Sequence, residues 1–116
     1  MASKLSIKWP NDIFYENRKL AGILINSTIK GNMMDVSIIG IGLNINQLKF
    51  QKWPTKPISL KLITGENYDL EPLLKLLTES IVHQIERLKN DSSGIEQDYL
   101  KRLFSRKRGF QLPASI

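Results

Sequence analysis

The segment "DVSIIGIGLNIN", residues 35–46, is rich in β-branched and aliphatic residues and is typical of one long β-strand. Two glycines interrupt it, although glycine weakens the interior of a strand. Side chains alternate along a strand, so the residues separate into two faces. The face predicted to be core carries Ile39, Ile41, Leu43 and Ile45. The other face carries Val36, Ile38, Gly40, Gly42, Asn44 and Asn46, and it therefore combines bare backbone with amide groups.

Two interpretations of Gly40 and Gly42 follow. In the first, the glycines lie under a crossing helix or at a β-bulge and the asparagines begin the next loop, which is the favoured interpretation for G-x-G alone. In the second, glycine permits the close approach of a ligand to the backbone. The second interpretation requires suitable groups to converge on the same sheet.

Two preceding segments offer such groups. Lys19 begins a strand with small and apolar neighbours, so its ammonium is a candidate anion site, although most lysines at strand ends are solvated. In "KWPND", residues 8–12, the side chains of Lys8, Asn11 and Asp12 offer a cation, an amide and a carboxylate. Such a cluster suits phosphates or a magnesium ion, and it equally suits an Asx-type turn around a buried tryptophan.

The remaining pattern predicts an α+β fold. Extended segments separated by short polar turns predict an antiparallel meander, and they cover residues 5–9, 19–29 and 33–46, with "DIFY" at residues 12–15 expected to continue the first strand beyond Pro10. A short helix is predicted within residues 58–64. A long amphipathic helix follows the N-cap Asp69, and a capping box at Ser93 and Glu96 predicts the next helix. The two long C-terminal helices are expected to cover one face of the sheet.

Composition limits the class of protein. The chain has 116 residues, 41% of them hydrophobic and 24% charged, as in a soluble globular domain. It has no cysteine and no apolar run long enough to span a membrane, so a cytoplasmic setting without disulfides or thiolate zinc is expected. The single histidine, His83, does not make a metal site.

The net charge of +6 is concentrated at the C-terminus. Five basic residues and no acid lie within residues 101–116, so the rest of the chain is nearly neutral. A short basic terminus is more often solvated than part of a nucleic-acid interface. Residues 105–116 are therefore predicted to form a basic, disordered tail, and nucleic acid is not the expected partner.

Two longer stretches together resemble the biotin protein ligases. They are "KWPNDIFYENRKLAGILI", residues 8–25, and "IIGIGLNIN", residues 38–46. The resemblance extends over about residues 5–104 and implies that residues 1–104 are part of a catalytic domain of the class II synthetase and biotin ligase type. It implies ATP-dependent formation of biotinyl-5'-AMP, with Mg²⁺, and transfer of biotin to a lysine of a biotin carboxyl carrier protein.

The resemblance also implies roles for seven residues. They are Lys19 as the catalytic lysine that holds biotin carboxylate and phosphate, Gly40 and Gly42 as the biotin floor, and Lys8, Asn11, Asp12 and Asn44 at the ATP or adenylate, with no dedicated set of metal ligands.

The sequence departs from the family at one important point. The family's GRGRxG loop precedes KWPND by several tens of residues, whereas seven residues precede Lys8 here. The chain is therefore expected to be a central fragment, inactive alone, whose uncovered apolar surface drives self-association. A lipoate-type ligase fragment, and a non-catalytic binding or assembly module with a basic nucleic-acid-binding tail, are the alternatives.

Overall fold

The computed structural model describes residues 2–51 and 56–103, and within them four strands form one antiparallel sheet in chain order. A short 3₁₀ helix at Ala2–Lys4 precedes the sheet. The strands are β1 Leu5–Lys8, β2 Asp12–Tyr15, β3 Arg18–Lys30 and β4 Met33–Leu43, and the helices are α1 Leu60–Thr64, α2 Leu70–Asn90 and α3 Ser92–Arg102. The predicted α+β class, a meander followed by C-terminal helices, is confirmed. The predicted tail at residues 105–116 lies outside the described residues.

The "DIFY" segment forms a strand of its own, so the expectation that it continues the first strand is wrong. Pro10 cannot donate to a ladder, and the chain reverses around the cis Trp9–Pro10 peptide bond. As a result β2 pairs antiparallel with β1, from Leu5 opposite Tyr15 to Lys8 opposite Asp12. Trp9 lies at this turn and is exposed rather than buried.

A β-bulge interrupts the pairing of β2 with β3. Ile13 lies opposite Ala21, whereas the next residue, Phe14, lies opposite Lys19. Leu20 is therefore the extra residue on β3, and it is buried. A bulge of this kind redirects the side chains that follow it.

The core is small and lies at one end of the sheet. Its buried apolar residues are Phe14, Leu20, Ala21, Ile58 and Leu103. The strands β1 and β2 have four residues each, whereas β3 and β4 have 13 and 11, so much of the β3–β4 hairpin extends beyond its neighbours. Residues at the predicted core positions Ile39 and Ile41 are exposed for this reason, and that part of the prediction is wrong.

The helices leave the same hairpin uncovered. α3 packs against β1, and Leu103 forms a parallel bridge with Ile7. α2 packs against α3. Across the described ranges, no helix combines the length and the apolar composition needed to cross a membrane.

The starts of the helices agree with the sequence in two cases out of three. Ser59 caps α1 by accepting from the Leu62 N–H at 3.1 Å, and Asp69 is the N-cap of α2. The predicted capping box of α3 is wrong because the Asp91 carboxylate already accepts from the Gly94 N–H at 3.2 Å, so the helix begins at Ser92.

Candidate functional site

One row of directly paired residues crosses all four strands. Lys8 on β1 is opposite Asp12 on β2, Asp12 is opposite Gly22 on β3, and Gly22 is opposite Gly42 on β4. Residues directly opposite in an antiparallel sheet share a face. Gly40 is two residues from Gly42 and therefore shares it too. We refer to Gly22, Gly40 and Gly42 as the glycine patch.

The ammonium of Lys19 lies at this patch. Its Nζ is 3.3 Å from Asp12 Oδ1, and the two side chains are 35% and 33% exposed. A Cβ added to Gly22 would be 3.3 Å from Lys19 Nζ and 3.4 Å from Cε. Gly22 is three positions after Lys19, so in a regular strand the two residues would face opposite sides. The bulge at Leu20 brings them to the same side.

The glycines at positions 40 and 42 are not explained by packing among the described residues. A Cβ on Gly40 would meet the Leu24 carbonyl oxygen at 3.6 Å, an ordinary contact, and a Cβ on Gly42 would meet the Gly22 carbonyl oxygen only at 4.0 Å. Neither glycine has a positive φ. The interpretation in which a helix or a bulge requires these glycines therefore loses its support.

The two asparagines after β4 have different surroundings. Asn44 lies beside Lys19, the predicted catalytic residue, and its Nδ2 is 3.5 Å from the Lys19 carbonyl oxygen. Asn46 is occupied, since its side chain donates to the Tyr68 carbonyl at 2.8 Å and accepts from the Tyr68 N–H at 2.9 Å. Asn44 thus remains the asparagine near the candidate site, and Asn46 fixes the approach to α2.

The other predicted nucleotide residues are on the β1–β2 turn. Lys8 is exposed, and its Nζ lies 5.0 Å from the centroid of the Phe14 ring. Asn11 is exposed, and its carbonyl accepts from the Ile23 N–H at 2.8 Å. The structure therefore brings Lys8, Asp12 and Lys19 to one face of the sheet, with Asn11 at its border.

Two residues of this surface were missed by the sequence pattern. Gly22 is the centre of the patch, and Leu24, opposite Gly40, is an exposed apolar residue beside it. Alternation alone gives no reason to place Lys19 with Gly22, because the bulge leaves no mark in the sequence. The register of β3 with β4 identifies both missed residues, because it pairs Gly22 with Gly42 and Leu24 with Gly40.

The other surfaces of the described residues carry fewer polar and charged side chains that could bind a ligand. An apolar groove of about 430 Å³ separates the end of β4 from α2 on the opposite face, lined by Ile41, Leu43 and residues of α2, with Glu71 as its charged group. His83 is exposed. Among the described residues, no three histidine, cysteine, aspartate or glutamate side chains come together as a metal site would need.

The sequence of this region is similar to a known family. The model described as "Biotin/lipoate A/B protein ligase family" matches residues 1–44, which include all seven predicted site residues. The biotin–[acetyl-CoA-carboxylase] ligase of Paracoccus denitrificans is 36% identical over 80 residues, which cover 66% of this chain and 33% of that protein. Residues 1–44 therefore match this family, and the chain spans about a third of the length of this curated relative.

Two further proteins are similar to parts of this chain. The bifunctional ligase/repressor of Escherichia coli is 46% identical over 44 residues, or 38% of this chain and 14% of that protein. The biotin protein ligase of Aquifex aeolicus has a similar fold, with a TM-score of 0.71 for its apo structure and 0.70 for its complex with biotin and ATP, at 24% identity over 86% of this chain. The chain spans 44% and 42% of those two structures.

Proposed function

We propose that this chain supplies part of the catalytic surface of a biotin protein ligase, which makes biotinyl-5'-AMP from biotin and ATP and then transfers biotin to a lysine of a biotin carboxyl carrier protein. The observation that carries the proposal is the Lys19 ammonium over Gly22, beside the bare surface that Gly40 and Gly42 leave open. The similar fold of a ligase in complex with biotin and ATP supports the choice of these two ligands.

In the first step, the backbone at Gly40 and Gly42 would receive the flat ring system of biotin, because no side chain of the described residues stands within 4 Å of a Cβ there. Lys19 would hold the biotin carboxylate and an α-phosphate oxygen together. An ammonium has three donors and no acceptor, so it can serve two anionic groups at once. The rate would then come from alignment of carboxylate and phosphate and from the positive charge that offsets the developing negative charge.

Asp12 is the one carboxylate in the row formed by Lys8, Asp12, Gly22 and Gly42. Magnesium is usually held by one or two carboxylates plus the phosphates of its substrate, so Asp12 fits a Mg²⁺ that arrives with ATP, and this ion would neutralise phosphate charge. Lys8 and Asn11 stand at the same turn and would face the phosphates. Asn44, beside the Lys19 carbonyl, would lie nearest the adenylate.

In the second step, the amine of a carrier lysine attacks the mixed anhydride and AMP leaves. Lys19 would stay with the phosphate and stabilise the leaving group. The 116 residues contain no GRGRxG segment, so we expect the chain on its own to make no biotinyl-adenylate at a useful rate. Biotin-dependent exchange of pyrophosphate into ATP by this chain would contradict that expectation.

Ligand binding tests the proposal without requiring turnover. Titration calorimetry with a non-hydrolysable sulfamoyl analogue of biotinyl-5'-AMP should show binding to the wild-type chain, and Lys19→Met should weaken it by roughly 10- to 100-fold, since hydrogen bonds to charged groups contribute about 1.5–3 kcal/mol. Lys4→Met is the matched control, because Lys4 pairs with Glu16 away from the patch. Equal affinity of wild type and Lys19→Met would overturn the proposal, and tighter binding of the lipoyl analogue would favour the lipoate alternative.

A further inference from the structure

A segment distant in sequence holds the backbone of Lys19. The Lys19 N–H donates to the Lys56 carbonyl at 2.9 Å, and the Lys19 carbonyl accepts from the Ile58 N–H at 2.9 Å, which makes a parallel bridge to Pro57. This edge of β3 is open to the segment because β4 ends at Leu43, opposite Ala21. Residues 56–58 therefore take the place beside Lys19 that β4 occupies farther along the strand.

Arg18 fixes the middle of that segment. The Pro57 carbonyl takes no part in the bridge, since the two backbone bonds use its neighbours, and proline has no N–H to contribute. Arg18 donates to the Pro57 carbonyl from Nε at 3.1 Å and from Nη2 at 2.6 Å. Ile58 and Ser59 are buried on the core side. The core and the guanidinium thus hold residues 56–58 from two directions.

We propose that Arg18 is a positioning residue for Lys19. Its two bonds to Pro57 keep residues 56–58 paired with the Lys19 backbone and so fix where the ammonium projects over Gly22. The rigid fork of a guanidinium brings two nitrogens to the one carbonyl oxygen, whereas an ammonium can approach it with a single nitrogen. The inference rests on the proposed function, because it deepens the role of Lys19. A shift of about 1 Å in a catalytic group can cost about 100-fold in rate.

Amide hydrogen exchange tests the positioning without any ligand. In Arg18→Met, the amides of Lys19 and Ile58 should exchange about tenfold faster, because the loss of a hydrogen bond to a charged group opens the bridge locally. The Ile23 amide, which donates to Asn11, should keep its protection. Arg87→Met is the control, since it removes an arginine bonded to Asp98 between α2 and α3 and should leave Lys19 unchanged.

Unchanged exchange at Lys19 and Ile58 would overturn the inference and leave the proposed function standing. Arg18→Lys keeps the charge and loses the fork, so it should show a smaller increase at the same two amides. If Arg18→Met loses protection throughout the sheet, Arg18→Lys decides the question by the same comparison.

A double-mutant cycle separates positioning from general support. Arg18→Met should weaken binding of the sulfamoyl analogue about tenfold in the wild-type background and hardly at all in the Lys19→Met background, because coupled residues are non-additive. Equal losses in both backgrounds would show that Arg18 does not act through Lys19. A clear exchange effect with no analogue binding by any variant would instead overturn the proposed function alone.

Discussion

Replacing Gly42 separates the two explanations of the glycine patch, because they predict opposite changes in stability. Glycine inside a strand is less stable than alanine by roughly 0.5–1 kcal/mol. A Cβ at position 42 would make no contact closer than 4.0 Å, to the Gly22 carbonyl oxygen, so no clash offsets this gain. We therefore expect Gly42→Ala to raise the free energy of unfolding by about 0.5–1 kcal/mol, and Gly42→Val to do at least as much because β-branched residues favour strands.

Ligand binding should change the other way. A methyl group at position 42 would occupy space that the patch leaves for the biotin ring. Overpacking a fitted site costs about 1–3 kcal/mol, so affinity for the sulfamoyl analogue should fall roughly 5- to 150-fold. Urea unfolding with an unchanged slope measures the first effect, and titration calorimetry measures the second.

Gly31→Ala provides the matched control. Gly31 has a φ of 61° with nothing within 4 Å of an added Cβ. Gly31→Ala should therefore lower the free energy of unfolding by about 1–2 kcal/mol through backbone strain alone and leave ligand affinity unchanged. If Gly42→Ala instead destabilises the fold by more than about 1 kcal/mol, or binds the analogue as tightly as wild type, the glycines have a structural role and the reasoning fails.

Three further predictions concern stability and association. Leu103 is fully buried, so Leu103→Ala should cost about 2–5 kcal/mol in urea unfolding, and a smaller loss than Ile38→Ala would contradict the proposed core. Ile38 is 68% exposed, so Ile38→Lys should reduce self-association in light scattering at an unchanged urea midpoint, and a wild-type chain that is already monomeric would refute this. The hydrogen bond and charge of Arg87 lower the pKa of Asp98 below its usual 3.8. The ion pair of Asp98 with Arg87 therefore stabilises the fold above about pH 3.8, and this contribution is lost as the pH falls through the lowered pKa. The melting temperature of Asp98→Asn should accordingly depend less on pH in this acid range than that of the wild type.

Alternation and turn chemistry predicted much of this fold. The long strand through Gly40 and Gly42, the helix after Asp69 and the shared face of the two glycines follow from local patterns, because a strand repeats every two residues and a helix about every 3.6. The same patterns indicated Lys19 and the residues of KWPND as the groups that the sheet gathers. The structure places Lys8, Asp12 and Lys19 on one face, with Asn11 at its border.

Features that depend on pairing could not be predicted locally. The bulge at Leu20 depends on how β2 aligns with β3, and no residue type marks it. The exposure of Ile39 and Ile41 depends on the length difference between neighbouring strands, whereas their apolar character indicated burial. The start of α3 at Ser92 depends on the Asp91 carboxylate, which accepts from the Gly94 N–H and also from the Ser93 hydroxyl.

The extra residue at Leu20 has a consequence for comparing related sequences. Losing that one residue would restore an unbroken ladder in which Lys19 would stand two positions from Gly22, still opposite Phe14 and on the same face of the sheet. Percentage identity would barely register such a deletion. A gap at this single column would therefore be compatible with an intact site, and the lysine beside it is the residue to compare among relatives.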